Sequence, residues 1–365
     1  MKIGILTLPL HTNYGGILQA YALQTVLERM GHEVSFIAHN PQREFGLYGE
    51  IKFLLLRTKK MVRNIFLPDV LIKDPTRYTC QFINKWIKRD FYMSINSLTQ
   101  GQYDVIVVGS DQIWRKQYVE ESPFLRNIET SFLDFAKCWN IKRISYAASF
   151  GTDEWEYTEE STKRCSELIQ KFDAVSVREH AGVELCRKYL YHEAVQMVDP
   201  TLLLSREDYI KLICKRTKKR KGIMTYILDD NERKRSLVNK VKDFTGKNIF
   251  KSNVSYNEID AGKRGAVQPP VEHWLQAFDD ADFVITDSFH ACVFSIIFNK
   301  PFIVIPNLER GASRFHSLLK TFHQEHRMID VEKDIELSYD MSAKPNCDIN
   351  PYREKSIIFF NSNLR

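Results

Sequence analysis

The sequence predicts an α/β protein made of two doubly wound domains, each built on a parallel sheet. Short apolar segments alternate with stretches of helical period along the first half of the chain, as expected when helices connect parallel strands. The same alternation restarts after Asp199-Pro200 and a basic stretch, which places a boundary near 200–220. With 365 residues, the chain is long enough for two domains that each bury a core.

The first domain is predicted to span 1–204. Its strands are predicted at 2–8, 33–38, 104–109, 143–149, 174–177 and 195–198. Its helices are predicted near 16–30, 51–66, 76–92, 158–171 and 180–189. The carboxyl ends of parallel strands lie at one edge of a sheet, and ligands bind outside that edge in doubly wound folds.

The second domain is predicted to span 205–335, and 336–365 to form a helical tail that packs back on the first domain. Its strands are predicted to begin at Gly222, Asn248, Asp282 and Pro301. Helices are predicted near 231–245 and 271–279, from about 290, and from Asn350 to Arg365. Both sheets would then direct their carboxyl ends into a shared crevice.

The composition is that of an ordinary globular protein, with 44% apolar and 27% charged residues, which excludes disordered and fibrous classes. Met1 leads directly into a strand pattern, without the charged and apolar regions of a signal peptide. The longest apolar runs, such as 53–56, are far shorter than the roughly 20 residues that span a bilayer. Seven cysteines without CxxC spacing indicate reduced thiols. We therefore expect a cytoplasmic protein without a transmembrane helix.

Basic residues are concentrated in two stretches, 57–63 and 215–221, although the net charge is only +6. Such stretches are typical of a solvated helix face and a solvated connector. They would also favour an anionic membrane surface, so peripheral association with the inner face of the membrane is an alternative. No helix-turn-helix, zinc-finger or aromatic-rich RNA-binding pattern accompanies the charge, so no nucleic acid partner is expected.

The loop after the first strand carries Asn13, Tyr14, Gly15 and Gly16 and leads into a helix. The glycines would let the backbone approach a ligand closely, and free N–H groups at a helix start favour an anion. A structural Gly-Gly turn explains the same residues equally well. The spacing is not GxGxxG, so it does not predict a dinucleotide site.

Two further strand ends carry charged residues. Ser110 and Asp111 follow an apolar strand, where the carboxylate could deprotonate or hold a sugar hydroxyl, or the pair could cap a helix. Arg178 follows another strand, where its guanidinium could bind a carboxylate or phosphate in bidentate fashion. A surface salt bridge to Glu179 or Glu184 is the alternative for this arginine.

The segment 286–290 gives the strongest functional signal. It joins a buried strand to an apolar helix, and it places His290 where the start of the helix meets the crevice. A histidine exchanges its proton near neutral pH, so it suits general acid or base catalysis. Asp287 and Ser288 are interpreted mainly as the turn and helix cap that orient this histidine, with direct contact between Ser288 and a ligand as an alternative.

Three further cations could pair with an anionic ligand. Lys251 follows the second strand of this domain, and Arg310 and Arg314 follow its last strand. Ordinary surface charge is the alternative for each of them. The acidic run 279–282 has the form of a metal-binding DxD motif, yet it lies at a junction between helix and strand and is interpreted as structural. Neither a metal nor a cofactor is therefore expected.

Eight segments occur along the chain in this order: NYGGILQAYALQ, GSDQIW, SYAASFG, SVRE, VDPTLLL, ITDSFH, FNKPFIVI and RGASRF. Together they resemble the polysaccharide pyruvyl transferase family, from about 2 to 319, most weakly between 45 and 100 and after about 330. The family's recurrent histidine, usually followed by glycine, matches His290, here followed by Ala291, and the arginine of its S-x-R element matches Arg178. The resemblance implies two Rossmann-like domains arranged as in metal-independent GT-B glycosyltransferases, with the active site between them.

The resemblance also implies an activity. Characterised members transfer the enolpyruvyl group of phosphoenolpyruvate to a sugar as a cyclic pyruvate ketal. The phosphate and carboxylate of this donor substrate need fixed cations, and Arg178, Arg310 and Arg314 are candidates. His290 would act as an acid, and Asp111 would orient or deprotonate the acceptor hydroxyl. The acceptor would be a sugar of a cell-surface polysaccharide precursor, with linkage to a lipid as a further option.

Two other functions remain open at this point. The fold and the segment GHEV at 31–34, which is common in such enzymes, are compatible with a nucleotide-sugar glycosyltransferase. A binding module that kept the fold without the chemistry is the second alternative. The joint presence of Asp111, Arg178 and His290 favours an enzyme over such a module.

Overall fold

The computed structural model describes residues 1–39, 76–254, 267–306, 311–331 and 339–365. The predicted helix near 51–66, the basic stretch 57–63 and Arg310 lie outside these residues. The described part of the chain contains two parallel sheets joined by helices, which confirms the predicted α/β class.

The first sheet has seven parallel strands in the order β3-β2-β1-β4-β5-β6-β7. They are β1 Lys2–Leu6, β2 Glu33–His39, β3 Arg89–Tyr92, β4 Val105–Val108, β5 Lys142–Ala148, β6 Ala174–Val177 and β7 Val195–Gln196. Strands β2 and β3 lie on one side of β1, and strands β4 to β7 lie on its other side. The topological switch therefore lies between β1 and β4, where a doubly wound sheet opens a crevice for ligands.

Helices pack against this sheet on both faces. They are α1 Tyr14–Arg29, α2 Arg77–Trp86, α3 Lys116–Glu120, α4 Glu159–Ile169 and α5 His180–Tyr189. The prediction of one helix over 76–92 is wrong beyond Trp86, because the chain there turns into the edge strand β3. The backbone N–H of Phe36 donates to the carbonyl of Lys88 at 2.9 Å, so pairing with β2 decides the conformation of this short segment.

The second sheet has four parallel strands in the order β11-β10-β8-β9. They are β8 Ile223–Tyr226, β9 Ile249–Lys251, β10 Phe283–Thr286 and β11 Phe302–Val304. The remaining helices are α6 Arg206–Ile210, α7 Glu232–Thr245, α8 Val271–Asp280, α9 Phe289–Ile297, α10 Ser313–Thr321 and α11 Asn350–Asn363. Local signals delimit them, since Asn231 caps the start of α7 and Gly246, at a φ of 64°, ends it.

One continuous apolar core joins the two lobes. It contains Leu23 of α1 together with Trp274 of α8 and Phe294 of α9. The ring of Tyr14, at the start of α1, lies 5.4 Å from that of Trp274 and 6.1 Å from that of Tyr226. The crevice between the lobes therefore has a packed floor, which fixes the distance between its two walls.

The terminal helix α11 contacts the first lobe. The ring of Phe360 stacks on that of Tyr146 in β5 at 4.5 Å. The Arg353 guanidinium donates to the carbonyls of Leu202 and Leu204, at 2.8 and 2.7 Å. Aromatic packing and hydrogen bonds together attach the end of the chain to the lobe where it began.

The acidic run at the end of α8 is paired with basic residues of α6 and of the stretch 215–221, which we call the basic connector. Asp279 accepts from Arg206 at 2.5 Å and from Arg216 at 2.7 Å. Asp280 accepts from the backbone N–H of Arg220 at 3.1 Å. Within the described ranges, no group of three His, Cys, Asp or Glu residues could hold a metal ion, and no helix is both long and apolar enough to cross a membrane.

Candidate active site

A cavity of about 300 Å³ lies between the lobes. We call it the catalytic cavity. The segments that follow β1, β4 and β10 form its walls. They contribute Asn13 and Asp111 from loops and Gly16 and His290 from the starts of α1 and α9, while Arg314 comes from α10. The two loops of the first lobe follow the strands on either side of the topological switch, where the fold alone predicts a ligand site.

His290 is held rigidly at the start of α9. The Ser288 hydroxyl caps this helix by accepting from the Ala291 N–H at 3.5 Å, and the Thr286 hydroxyl accepts from the Ser288 N–H at 3.0 Å. The imidazole is only 5% exposed, and its Nε2 lies 3.5 Å from Oδ2 of Asp199 in the first lobe. The imidazole of the second lobe therefore lies against a buried carboxylate of the first lobe.

Helix α1 lies directly against the imidazole. A Cβ atom placed on Gly15 would lie 2.1 Å from Cγ and Nδ1 of His290, so only glycine permits this approach. The Asn13 side chain accepts from the N–H groups of Gly15 at 3.0 Å and of Gly16 at 3.3 Å. The expectation that these N–H groups are free to cradle an anion is therefore wrong, because the helix cap already uses them.

Asp199 is a central residue of the site that the sequence did not indicate as functional. Its Oδ2 accepts from Arg178 at 2.8 Å, and its Oδ1 accepts from the Thr201 N–H and hydroxyl at 3.0 and 2.6 Å. Burial would raise the pKa of this carboxyl, but His290 and Arg178 outweigh burial and hold the pKa below its ordinary value. The motif VDPTLLL contains Asp199, although nothing in the motif reveals its partners.

Arg178 is paired with two carboxylates through its Nε and Nη1. Its Nε donates to Glu179 at 2.9 Å, the Glu179 carboxylate also accepts from the Ser149 hydroxyl at 2.7 Å, and Nη1 donates to Asp199. Burial lowers the pKa of Arg178, yet the two carboxylates raise it above its ordinary value. Arg178 does not line the catalytic cavity but a smaller cavity behind Phe289. Direct contact with a ligand beside His290 is therefore not supported, and we interpret Arg178 as the residue that positions Asp199.

Arg314 is the buried cation that faces the catalytic cavity. Its guanidinium lies 5.5 Å from the centre of the Phe289 ring, and that of Arg178 lies 4.5 Å from the same ring. Burial and the neighbouring Arg178 charge lower the pKa of Arg314 to about 10. A bound anion would relieve this penalty by stabilising the charged form.

Asp111 and its neighbours follow β4 at the opposite wall. Asp111 has a φ of 66° and lines the cavity, with Oδ2 3.3 Å from the position of a Cβ on Gly16. Ser110, in contrast, donates its hydroxyl to the carbonyl of Ala147 at 3.2 Å and does not line the cavity. Gln112 does line it, and its buried Nε2 has no hydrogen-bond partner in the described part of the chain. Gln112 belongs to the GSDQIW segment and is a further candidate for binding a ligand.

Asp287 stabilises the site without acting as a free carboxylate. It accepts from the backbone N–H groups of Leu228 and Asp229, at 2.7 and 3.1 Å, and from Nζ of Lys234 at 2.6 Å. These bonds fix the loop after β8, which contributes Leu228 to the cavity wall.

Two predicted ligand-binding residues lie elsewhere. Lys251 ends the edge strand β9 and lines a separate cavity of the second lobe together with Arg235 and Asn253. Tyr14 is fully buried in the shared core, where its hydroxyl donates to the carbonyl of Pro269. The structure therefore does not bring either side chain to His290, because strand order and lobe docking place them elsewhere.

The family model of polysaccharide pyruvyl transferases matches residues 13–309. The chain belongs to the polysaccharide pyruvyl transferase family. The matched range includes Asp111, Asp199 and His290, so both lobes of the site belong to the family's shared region. A search of curated proteins gives no match.

The chain is similar in fold to solved structures of low sequence identity. One is a Listeria monocytogenes protein that carries the name UDP-N-acetylglucosamine 2-epimerase, at 9% identity and a TM-score of 0.50, with 100% of this chain and 96% of that chain covered. Another is the UDP-GlcNAc 2-epimerase of Neisseria meningitidis bound to UDP-GlcNAc, at 10% identity and a TM-score of 0.49, with 100% of both chains covered. The likeness to the Listeria monocytogenes structure concerns fold alone, and it confirms the predicted fold class of this pyruvyl transferase family member.

Proposed function

We propose that the protein transfers the enolpyruvyl group of phosphoenolpyruvate to two hydroxyls of a sugar, forming a pyruvate ketal and releasing phosphate. The observation that best supports this reaction is the placement of His290, Asp111 and Arg314 around one cavity between the lobes. The three side chains are an acid, a base and a fixed cation, which are the groups that this reaction requires.

Arg314 is proposed to bind the anionic donor. Its pKa of about 10 leaves the guanidinium charged at neutral pH, and its burial strengthens the attraction to a phosphate or carboxylate. Gln112 would donate its free Nε2 hydrogen atoms to the same ligand. Arg310 lies close to Arg314 in the sequence, and it remains a residue that we propose to bind the donor substrate.

The proposed reaction begins with His290. Its imidazolium donates a proton to the methylene carbon of the donor, which leaves positive charge at C2. A sugar hydroxyl adds to C2 and gives its proton to the Asp111 carboxylate. The C2–O bond to phosphate then breaks and phosphate leaves with the bonding electrons. A second hydroxyl attacks C2 and closes the ketal, and its proton returns to the His290 imidazole, while the proton held by Asp111 leaves with phosphate. One phosphate is therefore released for each ketal formed.

Asp199 is proposed to keep His290 ready for this step. The Asp199 carboxylate lies against the imidazole Nε2 at 3.5 Å and shares the same oxygen with Arg178. This arrangement would keep the imidazole beside the proposed donor site, so that it can act as the initial acid.

The acceptor is proposed to be a sugar of a capsule or exopolysaccharide precursor carried on a lipid, used in the cytoplasm at the inner face of the membrane. Lys218 and Lys219 of the basic connector are exposed and could meet anionic headgroups, whereas Arg216 pairs with Asp279.

The decisive experiment is acceptor-dependent phosphate release from phosphoenolpyruvate. Galactose-, mannosamine- and glucosamine-containing acceptors are incubated with the protein, and the ketal is identified by mass spectrometry. The Lys251→Gln variant serves as the matched control for variants of the catalytic cavity, because Lys251 lines a different cavity. A thermal-shift comparison with UDP and GDP sugars tests the glycosyltransferase alternative. Turnover of a nucleotide sugar without any phosphate release from phosphoenolpyruvate would overturn the proposal.

A further inference from the structure

A second cavity, of about 500 Å³, lies beside the catalytic cavity in the first lobe. We call it the apolar cavity. Its walls come from the carboxyl-terminal parts of β2 and β3, the loop 8–11 after β1, and the loop after α3. Phe36, Phe91 and Phe124 are its largest side chains.

The two cavities share one wall. Residues 8–11 line both of them, so a ligand bound at His290 needs only to pass this loop to enter the apolar cavity. Both cavities also open at the carboxyl edge of the same sheet, over β1 and β4 in one case and over β1, β2 and β3 in the other. A single extended ligand can therefore occupy both.

Three polar side chains of the apolar cavity, those of Thr7, Ser122 and His39, contact other groups of the protein, and His11 lines the cavity as well. The Thr7 hydroxyl donates to the Ser110 carbonyl at 3.0 Å, and the Ser122 hydroxyl accepts from the Leu125 N–H at 3.3 Å. The His39 ring stacks on Phe124 with 5.3 Å between centres. The surface offered to a ligand is thus mainly hydrocarbon and aromatic, which suits an apolar chain better than a sugar ring with many hydroxyls.

The rim of the cavity is apolar as well. Phe91, which lines the cavity, is 49% exposed. The Arg89 guanidinium lies 4.9 Å from the centre of the Phe91 ring and places a cation at the same rim. An apolar chain that carries a negative group near its polar end matches this combination.

We propose that the apolar cavity binds the apolar carrier chain of the acceptor, while the saccharide at the end of that chain reaches His290. This inference rests on the proposed function, because the acceptor named there is the ligand whose carrier chain would occupy the apolar cavity. The residues that bind the chain are Phe36, Phe91 and Phe124, and Arg89 faces the anionic linkage between chain and sugar.

Binding of alkyl glycosides tests the inference without relying on catalysis. Methyl and decyl glycosides of galactose, N-acetylglucosamine and N-acetylmannosamine are titrated calorimetrically into the whole protein, below the concentration at which micelles form. We expect the decyl forms to bind about tenfold more tightly or better with each sugar, because their methylene groups leave water. Phe91→Ser should abolish most of this gain. Phe244→Ser is the matched control, since Phe244 is 41% exposed on α7 of the other lobe.

Each outcome decides the question. Equal binding of methyl and decyl forms, or equal loss in both variants, overturns the carrier-chain site. A gain from a disaccharide in place of the decyl chain also overturns it, because the cavity would then be a sugar subsite. If the decyl forms bind more tightly but no phosphate is released from phosphoenolpyruvate, the carrier-chain site is supported and the proposed reaction is contradicted. Failure of the one proposal is therefore distinguishable from failure of the other.

Discussion

Two buried arginines lie against the same phenylalanine ring and have opposite surroundings. Arg178, from the first lobe, is bonded to two carboxylates, which raise its pKa. Arg314, from the second lobe, faces the catalytic cavity, and burial together with Arg178 lowers its pKa to about 10. The difference indicates that Arg178 organises the protein's own acid residues, whereas Arg314 faces the cavity in which we propose that an anionic substrate binds. The second lobe supplies His290 and Arg314, which we call the reactive half of the proposed site, and the first lobe supplies both the supporting Arg178 and the proposed base Asp111.

The largest effect is expected at the reactive half. His290→Gln should lower kcat by about a thousandfold, because general acid catalysis by a positioned side chain contributes roughly that factor. Steady-state phosphate release measures the change. The melting temperature should stay close to that of the wild type, and a variant that keeps full activity would contradict the assignment of His290.

The contact between α1 and His290 gives the next effect. Gly15→Ala places a methyl group where the imidazole now lies, so we expect kcat to fall by about a hundredfold through displacement of the ring. Gly16→Ala is the matched control. Its new Cβ would be 3.3 Å from Asp111, a contact that small shifts accommodate. Similar losses in the two variants would disprove the special role of the Gly15 contact.

Replacing each arginine tests the comparison directly. Arg314→Gln should raise KM for phosphoenolpyruvate about tenfold, because a charge-assisted hydrogen bond to the donor is lost. Arg178→Gln should instead lower the melting temperature, since it leaves Glu179 and Asp199 without their cation. Comparing KM and thermal unfolding for both variants separates the roles. If Arg178→Gln raises KM and leaves the melting temperature unchanged, the roles have been assigned the wrong way round.

The smallest effect concerns acid stability. The pKa of Asp199 is lower in the folded protein than the ordinary value of 3.8, so the unfolded chain binds more protons as the pH falls. Its contribution to stability is complete well above 3.8 and is lost as the pH falls toward the depressed native pKa. Asp199→Asn should therefore flatten the dependence of unfolding free energy on pH below about 4. Denaturant titrations at pH 3 to 6 measure this slope, and an unchanged slope would contradict the assignment.

The sequence was sufficient to predict the location of residues that directly follow a buried strand. His290 and Asp111 were predicted this way, because apolar strands are recognisable locally and their carboxyl ends meet at the switch point. Asp199 was missed because its partners come from another strand and another lobe. Lys251 was misplaced because periodicity does not reveal that β9 is an edge strand. The strand β3 was missed because four residues paired only to β2 carry too little pattern of their own.

The contact between Gly15 and His290 also bears on how members of this family could be recombined. His290 belongs to one lobe, and the backbone against which its imidazole rests belongs to the other. A chimaera that joins a first lobe from one protein to a second lobe from another must preserve this pair, whatever else differs between the parents. With the pair preserved, the first lobe, which carries the apolar cavity, becomes an exchangeable module for changing the acceptor.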